Sequence, residues 1–600
     1  MQNEEPNQNI IEELIALFNK KEFNSLINLI DGILKKKPNS ILVNNILGAS
    51  YTELKKYSLA KKTFIKITKL SPKFVDGHYN LANIYKILGQ EDMAIESYNK
   101  VIELDKNYYK AYNNLGNIFR NKDQKKRALE YYIITLLVNP KYTKAYYNLA
   151  GILQHFILNE KNIHINKYYL YLLKQKTIVR PNAISANVIN GLYLNTDLKD
   201  IFTLTDESNF PKNLIQIIKR FNNNLLFIQF MKVCPIPNYY IEKNLKKIRK
   251  EILNEVLNLR FENIYFGFIV ALSTQCFMNE YIFSETEDEN RKVTQINERI
   301  NNNLKKNKKV NDLEILCLTC YAPLHSYKWS NKITPSKELL EIYDLQFTNY
   351  KEEKKKGLLI KPIAKIKDDV SIKVKQQYEE NPYPRWTNLG LSFQPGSIKD
   401  VISDINLNID LKKINFPEKP EILIAGCGTG QHALTTASKY HNAIVYALDL
   451  SLKSLSYAKR KADEMGINNI KFIQGDLLDL KLLNKKFDII ESVGVIHHMD
   501  DPFSGLKSLT NCLKNDSLIL IGLYSDKARK NISTIRKKIK KLKIETSKKN
   551  IINFRKDLLE NNNSEWDSIK YSPDFYSTSG VRDLLFHVQE HRFTIPKLKE

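Results

Sequence analysis

Glu421-Ile422-Leu423-Ile424-Ala425-Gly426-Cys427-Gly428-Thr429-Gly430 is an apolar run that passes into a turn with glycine at every second position, and a helical stretch follows from Gln431 to Tyr440. A buried strand, a tight turn and a helix are the expectation. Glycine lets the backbone turn sharply there and leaves a bulky ligand room to approach beside a helix N-terminus. Such a turn also closes ordinary strand–helix corners, and related spacings serve dinucleotides, so the stretches downstream narrow the reading. Residues 443–449 form a second apolar run ending in Asp449, about twenty residues past the turn, where an acid accepts hydrogen bonds from both hydroxyls of a ribose. A helical stretch leads to a third run at 470–476, again closed by an acid, Asp476. A fourth at 487–493 enters Gly494-Val495-Ile496-His497-His498, and a fifth covers 517–524. Strands alternating with helices at these lengths predict a parallel sheet with ligands bound beyond the carboxyl ends of its strands. Taken singly, each acid also reads as a strand-end or N-cap carboxylate.

Together these residues resemble class I S-adenosylmethionine-dependent methyltransferases, over about 372–525. The resemblance implies that Gly426, Gly428 and Gly430 line the methionine and ribose part of S-adenosylmethionine, that Asp449 holds the ribose, and that Asp476 with Leu477 contacts the adenine. It places Glu491, at the end of the fourth strand, near the reactive sulfonium. One position departs from the pattern. The family puts an acid two residues before the first glycine, and Ile424 stands there.

Upstream, Asn381-Pro382-Tyr383-Pro384-Arg385-Trp386 is a proline-bounded aromatic turn. It has the residue types of an adenine-methylase motif in a transposed order and on the wrong side of the glycine turn, so DNA methylation is not expected. Two readings stay open for it. Tyr383 or Trp386 meets the sulfonium by cation–π attraction and Arg385 takes a carboxylate, or the turn is a hydrophobic plug packing the linker onto the sheet. Residues 577–587 resemble part of the C-terminal region of bacterial tetratricopeptide–methyltransferase fusions, which also carry a similar aromatic turn. Methyl transfer needs donor and acceptor aligned and water excluded, and needs a base only if the acceptor must lose a proton. His497 and His498 are the candidates for that catalytic base, and a loop-supporting pair is the plainer reading. The chain has no Pro-Cys nucleophile where ring-carbon methylation would need one, which directs the expectation to an oxygen or nitrogen acceptor.

In the N-terminal third, an offset of 34 residues superimposes the same residue types repeatedly. Leu47, Leu81, Leu115 and Leu149 share a column, as do the small residues Gly48, Ala82, Gly116 and Ala150, and the aromatics Phe64, Tyr98 and Tyr132. Small residues admit a neighbouring helix closely and aromatics fill the gaps, which predicts stacked helical hairpins. The spacing resembles tetratricopeptide repeats, and that resemblance implies a protein or peptide partner. The clear repeats run from 41 to 140, with degenerate copies on either side.

At 600 residues and 43% hydrophobic content, several cores are expected. The net charge of +26 is spread along the chain, so a nucleic-acid partner is not expected; the run 527–549 concentrates basic residues on what reads as a solvated helix face. Neither a leader peptide nor a membrane span is expected, and six scattered cysteines suit the reducing cytoplasm. Cys317 and Cys320 read as two core residues one helical turn apart, and a metal is not expected. The expected architecture is multidomain: an all-α tetratricopeptide solenoid at 8–181, a mainly helical linker domain at 182–369, an α/β Rossmann-like methyltransferase domain at 370–525, and a basic helical extension at 526–600, with truncation left open. The alternative to an enzyme is a non-catalytic repeat scaffold carrying a degenerate methyltransferase-like domain.

Overall fold

The computed structural model describes residues 5–202, 214–258, 266–403, 405, 407, 410, 414–560 and 567–600. It divides into two compact units, Met1–Ile157 and Leu158–Glu600. The segments 203–213 and 259–265 of the expected linker lie outside the described residues.

The first unit is a run of helices: α1 (Gln8–Asn19), α2 (Phe23–Lys36), α3 (Ile41–Glu53), α4 (Tyr57–Leu70), α5 (Val75–Ile87), α6 (Glu91–Leu104), α7 (Tyr109–Asn121), α8 (Lys125–Val138) and α9 (Thr143–Leu153). The repeat columns become its packing. A Cβ built on Gly48 of α3 would lie 2.6 Å from the Phe64 ring of α4, and one on Gly116 of α7 would lie 2.6 Å from the Tyr132 ring of α8. The small residue of one helix is therefore the socket for the aromatic of the next. Ala60, Ala94 and Ala128 are fully buried at equivalent places. Asparagines 35 residues apart tie successive repeats: Asn80 Nδ2 donates to Asn45 Oδ1 at 2.9 Å, and Asn148 Nδ2 to Asn113 Oδ1 at 2.9 Å.

The units divide upstream of the 181/182 boundary that the fading repeat pattern suggested. The Ile165–Lys174 helix is held within the second unit, where its Leu173 carbonyl accepts from Gln229 Nε2 at 3.2 Å and Asn388 Nδ2 at 2.8 Å. Helical amphipathicity alone does not reveal which partner covers the apolar face.

In the second unit, β1 (Glu421–Ala425), β2 (Ile444–Asp449), β3 (Ile470–Gln474), β4 (Phe487–Val493) and β5 (Leu513–Gly522) form a parallel sheet in the order β3-β2-β1-β4-β5. Both faces are covered. Ile422, Ile424, Val445 and Ala447 pack with Ala433, Ala437 and Leu455 on one side, while Leu423, Ala425, Tyr446 and Leu448 pack with Leu477, Leu480 and Leu509 on the other. This explains why the strands read as continuous apolar runs: alternate residues enter two different cores. The fifth strand begins at Leu513, four residues before the expected 517, because Phe487 of β4 pairs with Leu513 across a register shift.

The stretch 526–600 is not an appended extension. The Lys548–Glu560 helix places Arg555, 3% exposed, in a two-pronged ion pair with Glu242 at 2.6 and 2.7 Å. Thr578 Oγ1 donates to the Glu280 carbonyl at 3.0 Å. Of the basic run, Lys530–Lys541 is a helix, but its inner face is not solvated. Arg529 and Arg536 turn inward toward Glu590, at 2.7 and 3.8 Å. Among the described residues no helix is long and apolar enough to cross a membrane, and all six cysteines are free and buried.

Candidate active site

A cavity of about 480 Å³ opens at the carboxyl ends of β1, β2 and β4. Gly426, Gly428, Asp449, Asp476, Leu477 and Tyr383 line it, so residues far apart in the chain meet where a parallel sheet leaves its crevice. The glycine turn is shaped by close neighbours. Gly426 has φ of 77°, and a Cβ there would lie 2.3 Å from Val495. Gly428 approaches the Tyr383 carbonyl so closely that a Cβ would be 3.0 Å from its oxygen. Gly430 does not line the cavity; it packs on Ala458, 2.6 Å from where its Cβ would stand.

Asp449 accepts from Gly428 N at 2.7 Å and from Ser451 N at 2.9 Å. Burial pushes its carboxyl up to about 6, with Glu379 adding to the rise and the two backbone N–H groups opposing it. Asp476 accepts from Leu478 N at 3.0 Å, and burial raises its carboxyl too.

The aromatic turn divides its side chains between the cavity and the packing around it. Tyr383 faces the cavity, its hydroxyl donating to Asp574 at 2.8 Å. Trp386 plugs the outer side: its Nε1 donates to the Thr429 carbonyl at 3.1 Å, and its ring meets Tyr457 edge-on. Arg385 is turned away from the glycine turn, with its guanidinium 4.3 Å over the Phe277 ring and 3.8 Å from Glu280, so it does not line the cavity.

Glu491 is also displaced from its expected place. It lies beneath the cavity floor, 6% exposed, accepting from Thr436 Oγ1 at 2.7 Å and paired with His432 Nε2 at 2.7 Å. Burial raises its carboxyl, but the hydrogen bond and charge of His432, the hydrogen bond from Thr436 and the charge of Lys439 together hold it below the ordinary value. Glu491 stands opposite Ile424 in the β1–β4 register, so the neighbouring strand carries an acid beside the position where β1 lacks one. The residue reaching the cavity is His432, on the helix after the glycine turn.

The two histidines separate. His498 lines the cavity and its Nδ1 lies 2.7 Å from the Gln589 carbonyl, whereas His497 is fully buried beside the Tyr524 ring at 3.8 Å and does not line it. Burial lowers both, His497 to about 3 and His498 to about 4. Sequence reasoning missed the cavity's far wall, made of Arg529, Asp574, Asp583 and Leu584 from the C-terminal stretch, and also Arg180 and Ser371. Tyr378 Oη donates to Asp583 at 2.7 Å, and burial pushes Asp583 up to about 6, with Asp574 adding to the rise. Motif spacing carried no signal for these contacts.

An open, parallel α/β sheet with a glycine turn and acids closing its second and third strands defines a Rossmann-like nucleotide-cofactor domain. Residues 419–571 match the family described as "Methyltransferase domain", and three tetratricopeptide-repeat families match 43–74, 75–108 and 97–130. The chain therefore carries a methyltransferase domain behind tetratricopeptide repeats. An uncharacterized protein of Synechococcus sp. is 34% identical over 122 residues, which are 20% of this chain and 29% of that protein. The ubiquinone biosynthesis O-methyltransferase of Haemophilus ducreyi is 28% identical over 150 residues, 24% of this chain and 61% of that protein. The structure of PKMT2 from Rickettsia typhi in complex with AdoHcy is 22% identical, covering 30% of this chain and 38% of that one with a TM-score of 0.25. This chain thus spans less than two thirds of the length of these relatives.

Proposed function

We propose that the protein is an S-adenosylmethionine-dependent methyltransferase acting on an oxygen or nitrogen acceptor, and that its repeats engage a protein or peptide partner. The carrying observation is the Asp449 carboxylate bonded to Gly428 N at 2.7 Å, which ties the ribose-binding acid to the turn where the cofactor's backbone contacts are made. The residues fit such a group. The cavity of about 480 Å³ falls within the ~300–1,000 Å³ of pockets that enclose small organic ligands. Gly426 and Gly428 line the cavity, so their backbone borders the space that the group would fill.

Bound S-adenosylmethionine supplies an electrophilic methyl group on a sulfonium. In this reading Asp449 accepts from the ribose hydroxyls, Asp476 and Leu477 hold the adenine, and Gly426 and Gly428 present backbone groups. Glu491 acts through His432, which it orients from below. Tyr383, anchored by Asp574, closes the cleft over the glycine turn and excludes water there. The C-terminal wall of Asp574, Asp583 and Arg529 bounds the acceptor end. Free, buried cysteines fit a cytoplasmic setting.

Calorimetric titration of the purified protein with S-adenosylmethionine, alongside Asp449→Ala, tests the reading. Micromolar binding that the variant loses is the expected result. No binding by the intact protein overturns it and leaves a repeat scaffold with a degenerate domain.

A further inference from the structure

The acceptor end of the cleft holds a cluster that methyl transfer does not require. His498 Nδ1 and His587 Nδ1 lie 2.7 and 2.8 Å from one oxygen, the Gln589 carbonyl. A carbonyl only accepts, so His498 Nδ1 carries the ring proton and its Nε2 is a lone pair, whereas His587 Nδ1 meets both the Gln589 carbonyl and the Gln589 N–H, which donates to it at 3.3 Å, so either of its nitrogens can carry the proton. The rings are stacked, with centroids 3.6 Å apart and planes 20° apart. One donor atom each of His498, His587 and Asp583 lie within 4.8 Å of one another, and all three residues are buried.

Tyr378 Oη lies 2.7 Å from Asp583 Oδ1, to which it donates, and 3.2 Å from His587 Nε2. A carboxylate and two imidazoles gathered this closely in a buried place can share one cation, each giving it a lone pair. The surrounding charges are Asp574, Arg529, Arg536 and Glu590, with Glu590 paired to Arg529 at 2.7 Å. The acids Asp574, Asp583 and Glu590 together offset the two arginines.

We propose that His498, His587 and Asp583 bind a divalent transition-metal ion of the zinc class, with an open coordination position toward the cleft. Two neutral imidazoles and one carboxylate suit zinc and its neighbours, whereas magnesium and calcium prefer oxygen-only sets. The Gln589 carbonyl that both Nδ1 atoms approach is the kind of outer-shell partner such ligands use. Donors around a tetrahedral zinc ion are ~3.3 Å apart, so the side chains close by up to ~1.5 Å on binding, and because each imidazole lone pair lies in its ring plane the two stacked rings also splay apart. His498 and Asp583 also line the cleft, so the open position faces the space left for the acceptor. The site does not depend on S-adenosylmethionine binding.

The test uses the full chain stripped with a chelator and titrated with Co²⁺ alone, then with Zn²⁺. The expected result is uptake of one equivalent of Co²⁺ with visible d–d absorption, displaced by Zn²⁺, lost in His587→Ala and Asp583→Ala, and retained in His441→Ala at an exposed histidine. X-ray absorption of the wild-type protein carrying one Zn²⁺ then shows two imidazoles and no sulfur, a result that stands whether or not the variants fold. Absence of stoichiometric Co²⁺ uptake by the wild type, uptake that survives both substitutions, or a zinc shell with sulfur or fewer than two imidazoles overturns the proposal. Co²⁺ uptake without S-adenosylmethionine binding would leave the metal site standing and overturn only the methyltransferase reading.

Discussion

Cofactor affinity should depend on pH through Asp449. In the free protein, burial holds its carboxyl at about 6, against an ordinary 3.8. Ribose hydroxyls donating to it favour the ionised form, so in the complex its pKa returns to the ordinary range or below. Above pH 6 the carboxylate is already ionised and binding carries no proton. Below pH 6 the free protein holds a proton that binding must expel, so affinity falls as pH falls. The window closes near the bound-state value. Between pH 7 and pH 5 the dissociation constant for S-adenosylmethionine should rise roughly tenfold, and by pH 4 roughly a hundredfold. Asp476, Asp574 and Asp583 share the cavity and their carboxyls are also raised, so Asp449→Asn is the necessary control: it binds more weakly at every pH and with a shallower profile. Calorimetry at pH 5.5 in buffers of different ionisation enthalpy should register release of a proton on binding. An affinity constant from pH 7 to 5 in the wild type, or the same slope in Asp449→Asn, would refute the assignment of Asp449 to the ribose.

Three further outcomes follow from the packing. His497→Phe should bind S-adenosylmethionine and turn over as the wild type does, with an unchanged or higher melting temperature, because both ring nitrogens are buried without a partner beside Tyr524; a loss of turnover would return His497 to the chemistry. Gly426→Ala should cost ~1–2 kcal/mol for its left-handed backbone and a further ~1–3 kcal/mol for the clash with Val495, whereas Gly466→Ala, with φ of 70° and open space around it, should cost only the first part. Denaturant unfolding of the two variants separates these contributions, and equal losses would sink the packing argument. Glu242→Ala should destabilise the second unit by ~3–5 kcal/mol, because Arg555 would be left buried without its counter-charge; a loss below 1 kcal/mol in the same assay would show that the pair does not tie the C-terminal helix in place.

The repeat columns, the glycine turn and the acids closing β2 and β3 were legible in the sequence because each is a local pattern. A 34-residue period records one hairpin stacking on the next, and a glycine marks a backbone that must turn without a Cβ. The strands were legible as apolar runs because the sheet is covered on both faces. What faces the cavity was decided elsewhere. His497 and His498 are adjacent in the chain, yet only His498 reaches the cleft, since a single residue's rotation around a short helical turn separates their side chains. Arg385 lost its expected place to its contacts with Phe277 and Glu280, and Glu491 lost its place to His432 above it. The far wall depends on long-range contacts, such as His498 to Gln589 across 91 positions. No periodicity encodes a contact of that separation, because it follows from how the C-terminal helices settle on the sheet and on the helices before it, held by pairs such as Arg555–Glu242, and only the tertiary structure brings His498, Asp583 and His587 together.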